Sequence, residues 1–197
     1  MTCVRLLPVI EQSKYQAMPT TRRQVLLVLL KAGAVSSLAG VSACAVQEGL
    51  RFSSLSNAQE WLLQRPAHGI LQSATAFSWA QTLNHLAQSI EYSMTGYPES
   101  KSPLFQMTAG TLAFNAFAWR GQMTHNLSEP IPGAPALDPG ADPKHSMERL
   151  LGAIAAFHSW SGPLKPHFAY GELDKASYDL AHALHIANHL AEFHDQA

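Results

Sequence analysis

The C-terminal end of the chain concentrates histidines at a spacing that suits a metal ion. His182, His185 and His189 are separated by three and four residues. On an α-helix, at about 100° per residue, they fall on one face within roughly 60° of arc. His185 and His189 form the pattern His-x-x-x-His, which lets two imidazoles on adjacent turns reach one ion. The pair predicts two metal ligands, although pairs at this spacing also arise by chance among ten histidines.

Several other kinds of site are excluded by residue type. Ile186 follows His185, so the glutamate of the zinc-protease signature is missing. The sequence has neither a nucleophile elbow nor a glycine-rich phosphate loop. Cys3 and Cys44 are the only cysteines, so the chain after Cys44 has no disulfide and no cysteine ligand or nucleophile. With a net charge of -1, the chain lacks the excess of basic residues that is typical of nucleic-acid-binding proteins.

A catalytic metal site of this type needs a third protein ligand. The histidines that could supply it are His85, His125, His145, His158, His167 and His182. His85 lies in the middle of a predicted helix, about 140° from the apolar stripe of that helix. Periodicity alone leaves His85 either on the surface or on a polar face that lines a solvated cavity.

Helices must position these histidines, because apolar spacing and capping residues indicate helices throughout the body of the chain. Asp142 with Pro143 and Asp174 are typical helix starts, whereas Gly96 and Gly121 are typical helix ends. The predicted helices are one short segment at about 57–65 and four longer ones at about 78–95, 104–120, 143–160 and 174–194.

The connections between the long helices restrict their order. The first connection is short, so the helices that it joins should be antiparallel neighbours. The second is about 20 residues long and rich in proline, so it can cross the length of a bundle. The sequence therefore predicts an all-α four-helix bundle, which can adopt up-down-down-up order, plus a short N-terminal helix.

Two segments resemble a bacterial family of unknown function within the DinB/YfiT-like superfamily of metalloenzymes. They are TLNHLAQSIEYSMTGYP and HFAYGELDKASYDLAHALHIANHLAEF, and the similarity covers about Gln81–Phe193. The resemblance implies an up-down-down-up bundle that binds a divalent metal through three histidines. By motif matching these are His85, His185 and His189. His182 and His167 fall outside that pattern, and could support the ligands from a second layer.

The N-terminal part differs in charge from the rest. Residues 1–43 carry five basic residues and one acidic residue, whereas residues 44–197 carry eight and thirteen. Arg22-Arg23, followed by an apolar run and small residues, is the layout of a twin-arginine export signal. Val41–Cys44 resembles a lipobox, in which Cys44 would be lipidated. An uncleaved membrane anchor is the weaker alternative.

These patterns predict an export signal at 1–44 and a helical domain at 45–197. The expected location is the periplasm or cell envelope, with the membrane reached through the signal or a lipid anchor. The expected cofactor is a divalent ion (zinc, nickel or iron), and the expected partner is a small molecule rather than nucleic acid. A homodimer is compatible with the sequence.

The pattern leaves open whether the protein is an enzyme. One hypothesis is metal-dependent hydrolysis or thiol transfer on a small molecule. The alternative is a non-catalytic envelope lipoprotein that binds a metal or ligand. A third interpretation treats the histidines as core residues that bind no metal.

Overall fold

The computed structural model describes residues 49–65, 72–73 and 77–194. The predicted export signal, with Arg22, Arg23 and Cys44, lies outside these residues. Within them, the chain forms five helices and one pair of two-residue strands. The all-α class predicted from the sequence is confirmed for this part of the chain.

Four of the five helices are continuous α-helices. The third, α3, begins as α-helix at Pro103–Phe105, continues as π-helix over Gln106–Gly110 and ends as α-helix over Thr111–Arg120. The others are α1 (Leu55–Leu63), α2 (Trp79–Thr95), α4 (Pro143–Ser159) and α5 (Lys175–Leu190).

Side-chain caps explain where the helices begin. Ser78 and Gln81 form a reciprocal capping box at the start of α2, with hydrogen bonds of 3.2 and 3.0 Å. Asp142 accepts a hydrogen bond of 2.8 Å from the backbone N–H of His145 at the start of α4. Asp174 accepts one of 2.7 Å from Ser177 at the start of α5. Each such cap gives a hydrogen-bond partner to a backbone N–H that the first turn of the helix leaves unpaired.

Two predicted helix boundaries are wrong. Helix α1 begins at Leu55 rather than near residue 57, because the hydroxyl of Ser54 caps it by accepting a hydrogen bond from the N–H of Asn57 at 3.3 Å. The last helix ends at Leu190 rather than near residue 194. The chain leaves α5 to form strand β2 (Phe193–His194), which pairs antiparallel with β1 (Gln72–Ser73).

The core lies between α2 and α4, which make the most extensive helix contact among the described residues. Helices α1 and α5 close it with apolar side chains of their own. Fully buried members are Leu55, Leu62, Leu83, Leu86, Ile90, Leu150, Ile154, Phe157, Tyr178, Ile186 and Leu190. Burying each large apolar side chain contributes about 1.5–3 kcal/mol. This core makes α2 and α5 rigid supports for the histidines that they carry.

Helix α3 packs through one narrow face. Phe114 is buried, whereas Leu112 and Trp119 are exposed. In the π-helical stretch, Gly110 lies so close to the loop after α4 that a Cβ there would overlap the carbonyl oxygen of Ala169. Among the described helices, none combines the length and hydropathy that crossing a membrane requires.

Candidate metal centre

Two helices bring three histidines together in the interior. His85 projects from the middle of α2, and His185 and His189 project from successive turns of α5. One ring nitrogen from each lies within 4.8 Å of those from the other two. His85 and His189 are buried, whereas His185 is half-buried. The polar face of α2 that carries His85 therefore faces an interior site rather than the surface.

The donor atoms fit a metal ion. The Nε2 atoms of His85 and His185 face each other at 3.3 Å. Two nitrogens bonded to a tetrahedral zinc ion at about 2.0–2.1 Å would lie about 3.3 Å apart. The Nε2 atom of His189 is buried, with no hydrogen-bond partner among the described residues. An ion bound to these nitrogens would give each lone pair a partner and relieve the cost of burying it unpaired.

The protonation state of the three rings also suits ligation. Burial lowers the pKa of His85 to about 4, helped by the nearby His125. Burial lowers the pKa of His189 to about 2, and lowers that of His185 well below its ordinary value. All three are therefore neutral at pH 7, as metal ligation requires.

A cavity of about 270 Å³ opens beside the three histidines. Lys101 and Glu129 are its charged lining residues, and Met123, Ile131 and Phe168 supply apolar walls. Five histidines also line it, namely His85, His125, His167, His182 and His185. A small molecule in this cavity would lie next to the rings of His85 and His185.

His182 lines the cavity from α5 but is not part of the three-histidine group. Its ring stacks on Tyr178 with centroids 5.3 Å apart, and meets Phe157 edge-on at 5.4 Å. Its Nε2 atom is buried without a partner among the described residues. Burial lowers its pKa to about 3. His182 thus lines the cavity while its ring packs against two aromatic side chains of the core.

His167 lies in the loop between α4 and α5, where it forms a bridge with Gly171. Its Nδ1 atom accepts hydrogen bonds from the backbone N–H groups of Ala169 and Tyr170, at 3.1 and 3.2 Å. Its ring stacks on Tyr170 with centroids 4.2 Å apart. This ring shapes the wall of the cavity, and its Nδ1 lone pair is engaged within the loop.

Helix α3 holds that loop in place. The side-chain amide of Gln106 donates hydrogen bonds to the carbonyl oxygens of His167 and Phe168, at 3.3 and 3.1 Å. The close approach of Gly110 to Ala169 lets the loop pack against the helix. The π-helical stretch of α3 therefore positions one wall of the cavity.

The structure adds His125 to the site. It follows α3, in the connection to α4, and its ring centroid lies 5.0 Å from those of both His185 and His189. His125 was one of six histidines that could supply a third ligand, but no periodic pattern in the sequence singled it out. A histidine just before a proline-rich connection was the only available signal.

Glu91 and Glu129 have different surroundings, and only Glu129 lines the cavity. Glu91 on α2 forms a two-pronged ion pair with Arg149 on α4, at 2.7 and 3.0 Å. The same guanidinium group donates to Asn84 at 2.9 Å. Glu91 thus joins two helices, whereas Glu129 is the carboxylate among the residues lining the cavity.

Comparison with known proteins identifies a family without an established activity. The family model described as "Protein of unknown function (DUF1569)" matches residues 45–196. Neither the search of curated proteins nor that of solved structures gave a match.

Proposed function

The chain belongs to the DUF1569 family, and we propose that it is a metal-dependent enzyme that hydrolyses a small molecule or transfers a thiol to it. One observation carries the proposal: the three histidines lie beside a cavity large enough for a small molecule. The ion would be divalent, with zinc, nickel and iron as the candidates for imidazole ligands.

We also propose that the domain belongs to the DinB/YfiT-like superfamily, with its long helices in up-down-down-up order. The support is the origin of the ligands. His85 comes from the first long helix, and His185 and His189 come from the last. This is the arrangement that the family resemblance implies.

The residues around the cavity would have different chemical roles, namely metal binding and hydrogen-bond donation. When bound, a divalent ion supplies a Lewis acid and lowers the pKa of a water or thiol attached to it. The neutral imidazoles of His85, His185 and His189 would hold the ion. Tyr170, whose pKa burial raises to about 12, stays protonated at neutral pH and can donate a hydrogen bond within the cavity.

Melting measurements test the metal site directly. A chelator should lower the melting temperature, and added zinc or nickel should restore it. Metal that binds only the folded state stabilises it by about 2.7 kcal/mol at a hundredfold excess over the dissociation constant. Replacing His85, His185 or His189 by Ala should abolish this response.

His145→Ala is the matched control, because the His145 side chain is 80% exposed and lies at the start of α4. It should respond to metal like the wild type. A His85→Ala variant that binds metal as the wild type does would show that the three-histidine site is wrong. His182 would then be the next ligand to replace.

Catalysis is separated from simple binding by two probe reactions. Metal-loaded protein should hydrolyse p-nitrophenyl acetate, or conjugate glutathione to chlorodinitrobenzene, faster than the His189→Ala variant. Equal rates for both proteins in both reactions would favour the alternative, a non-catalytic envelope lipoprotein that binds a metal or ligand.

Export to the cell envelope is a separate proposal, supported by the sequence of the first 44 residues. Replacing Arg22 and Arg23 by Lys should retain the protein in the cytoplasm, as cell fractionation would show. Cys44→Ala should remove acyl labelling and release the protein from membranes if the lipobox is used. Wild-type protein found wholly in the cytosol would refute the proposal.

A further inference from the structure

We propose that His125 is a fourth ligand of the same metal ion, supplied from the connection between α3 and α4. This inference rests on the proposed metal site. The centroids of the His85, His185 and His189 rings lie 4.7 to 5.1 Å apart. The His125 ring lies 5.0 Å from His185 and 5.0 Å from His189, at the same spacing. Four imidazoles therefore form one cluster.

The hydrogen bonding of His125 leaves its Nε2 atom free to bind a metal ion. Its Nδ1 atom lies 3.0 Å from the carbonyl oxygen of Asn126. A carbonyl oxygen can only accept, so Nδ1 carries the proton and Nε2 keeps its lone pair. Histidine ligands in metal sites commonly donate their second ring N–H to a backbone carbonyl in this way, which fixes the tautomer. His125 already has this arrangement.

The connection that carries His125 is tied to the helix that carries His85. The side-chain amides of Gln81 and Gln88 on α2 donate hydrogen bonds to the carbonyl oxygens of Leu137 and Pro135. Met123 and Ile131 are buried on either side of His125 in the sequence, and both line the cavity. These contacts hold this segment over the three-histidine site.

His125 differs from the other three histidines in its exposure. Its side chain is exposed, and its nitrogens lie outside the group that is mutually within 4.8 Å. Because His125 lies outside the helices, a small movement that brings Nε2 to the ion breaks no helix hydrogen bonds. His85, His185 and His189 would hold the ion from the interior, and His125 would be the ligand that an incoming molecule displaces.

Cobalt(II) binding to the full chain tests this role without measuring activity. Visible absorption reports the ligands around cobalt, and a titration gives the dissociation constant. In His125→Ala, a water oxygen should replace one imidazole nitrogen and shift the absorption bands. The dissociation constant should rise at least about tenfold, because losing even a group that only supports a ligand costs about tenfold to hundredfold in metal affinity. Free imidazole added to the variant should move the bands back towards the wild-type position.

His145→Ala again serves as the control, and should match the wild type in both affinity and spectrum. A His125→Ala protein with the wild-type dissociation constant and spectrum would overturn the fourth ligand while leaving the three-histidine site intact. Wild-type protein that binds no cobalt, zinc or nickel would instead overturn the proposed function and this inference together.

Discussion

Burial divides the described histidines into an interior group and an exposed group. His85, His167, His182 and His189 are buried, whereas His145 is largely exposed. A buried charged imidazole would lose its hydration, so burial lowers the pKa of each of the four. The interior therefore selects the neutral form, which is the form that either binds a metal or accepts a hydrogen bond.

His167 is expected to stabilise the cavity wall independently of any metal. Its Nδ1 atom is the acceptor for two backbone N–H groups, those of Ala169 and Tyr170. His167→Ala removes that acceptor and the ring stacked on Tyr170. Leaving buried donors unpaired costs about 1–3 kcal/mol. We expect the free energy of unfolding, measured with urea in the presence of chelator, to fall by about that amount.

Metal affinity distinguishes this structural role from ligation. His167→Ala should keep its zinc-dependent rise in melting temperature, because the Nδ1 lone pair is already engaged in the loop. Loss of the zinc response in a folded His167→Ala protein would instead make His167 a ligand.

Local patterns predicted part of the site, and tertiary contacts decided the rest. His185 and His189 lie on adjacent turns of one helix, so their proximity follows from helical spacing alone. Periodicity did not decide whether His85 lies on the surface or lines a cavity. The choice between the two depended on the family resemblance. His125 lies outside any regular element, so no repeat in the sequence could place its ring beside α5.

The helices themselves were predictable because their ends have clear chemical signals. Ser78, Asp142 and Asp174 cap three helices where the sequence indicated helix starts. The structure differs from the predicted helices where contacts between segments far apart in the sequence determine the conformation. Pairing with β1 draws the chain out of α5, and the packing of α3 leaves the apolar side chain of Leu112 exposed.

Two glycines in helices offer a matched test of how closely α3 approaches the loop between α4 and α5. A Cβ at Gly110 would overlap the backbone oxygen of Ala169, whereas a Cβ at Gly152 on α4 has nothing within 4 Å. Ala favours a helix over Gly by about 1 kcal/mol at both positions. Gly110→Ala should nevertheless lower the free energy of unfolding by about 1–3 kcal/mol, because overpacking forces the backbone apart.

Gly152→Ala should raise the free energy of unfolding by up to about 1 kcal/mol, and so isolates the helix propensity from the clash. Urea unfolding of both variants gives the comparison. Equal stabilisation of the two proteins would mean that α3 and the loop at Ala169 do not pack as closely as the structure shows.

At the scale of the whole domain, interhelical contacts hold the site together. The Glu91–Arg149 ion pair and the bond from Arg149 to Asn84 join α2 to α4. Helix α5 then packs on α2 and brings His185 and His189 to His85. Unfolding the domain therefore separates His85 from His185 and His189, and hydrates all of these buried histidines together.

Acid should destabilise the domain already below about pH 6.5, although no carboxylate is buried among the described residues. Burial lowers the pKa values of His167 and His182 to about 3 in the folded protein, against about 6.5 when unfolded. Between these limits the unfolded chain binds more protons than the folded one, so stability is complete above pH 6.5 and falls as the pH decreases. The loss is about 1.4 kcal/mol per pH unit for each such histidine.

Urea unfolding in chelator at pH 7, 6 and 5 should show this slope. His182→Phe keeps a ring between Tyr178 and Phe157 and should make the slope shallower. The lowered pKa of Asp174 affects stability only below about pH 4, so it cannot account for a loss in this range. A free energy of unfolding that stays constant from pH 7 to 5 would mean that these histidines are not buried in the neutral form.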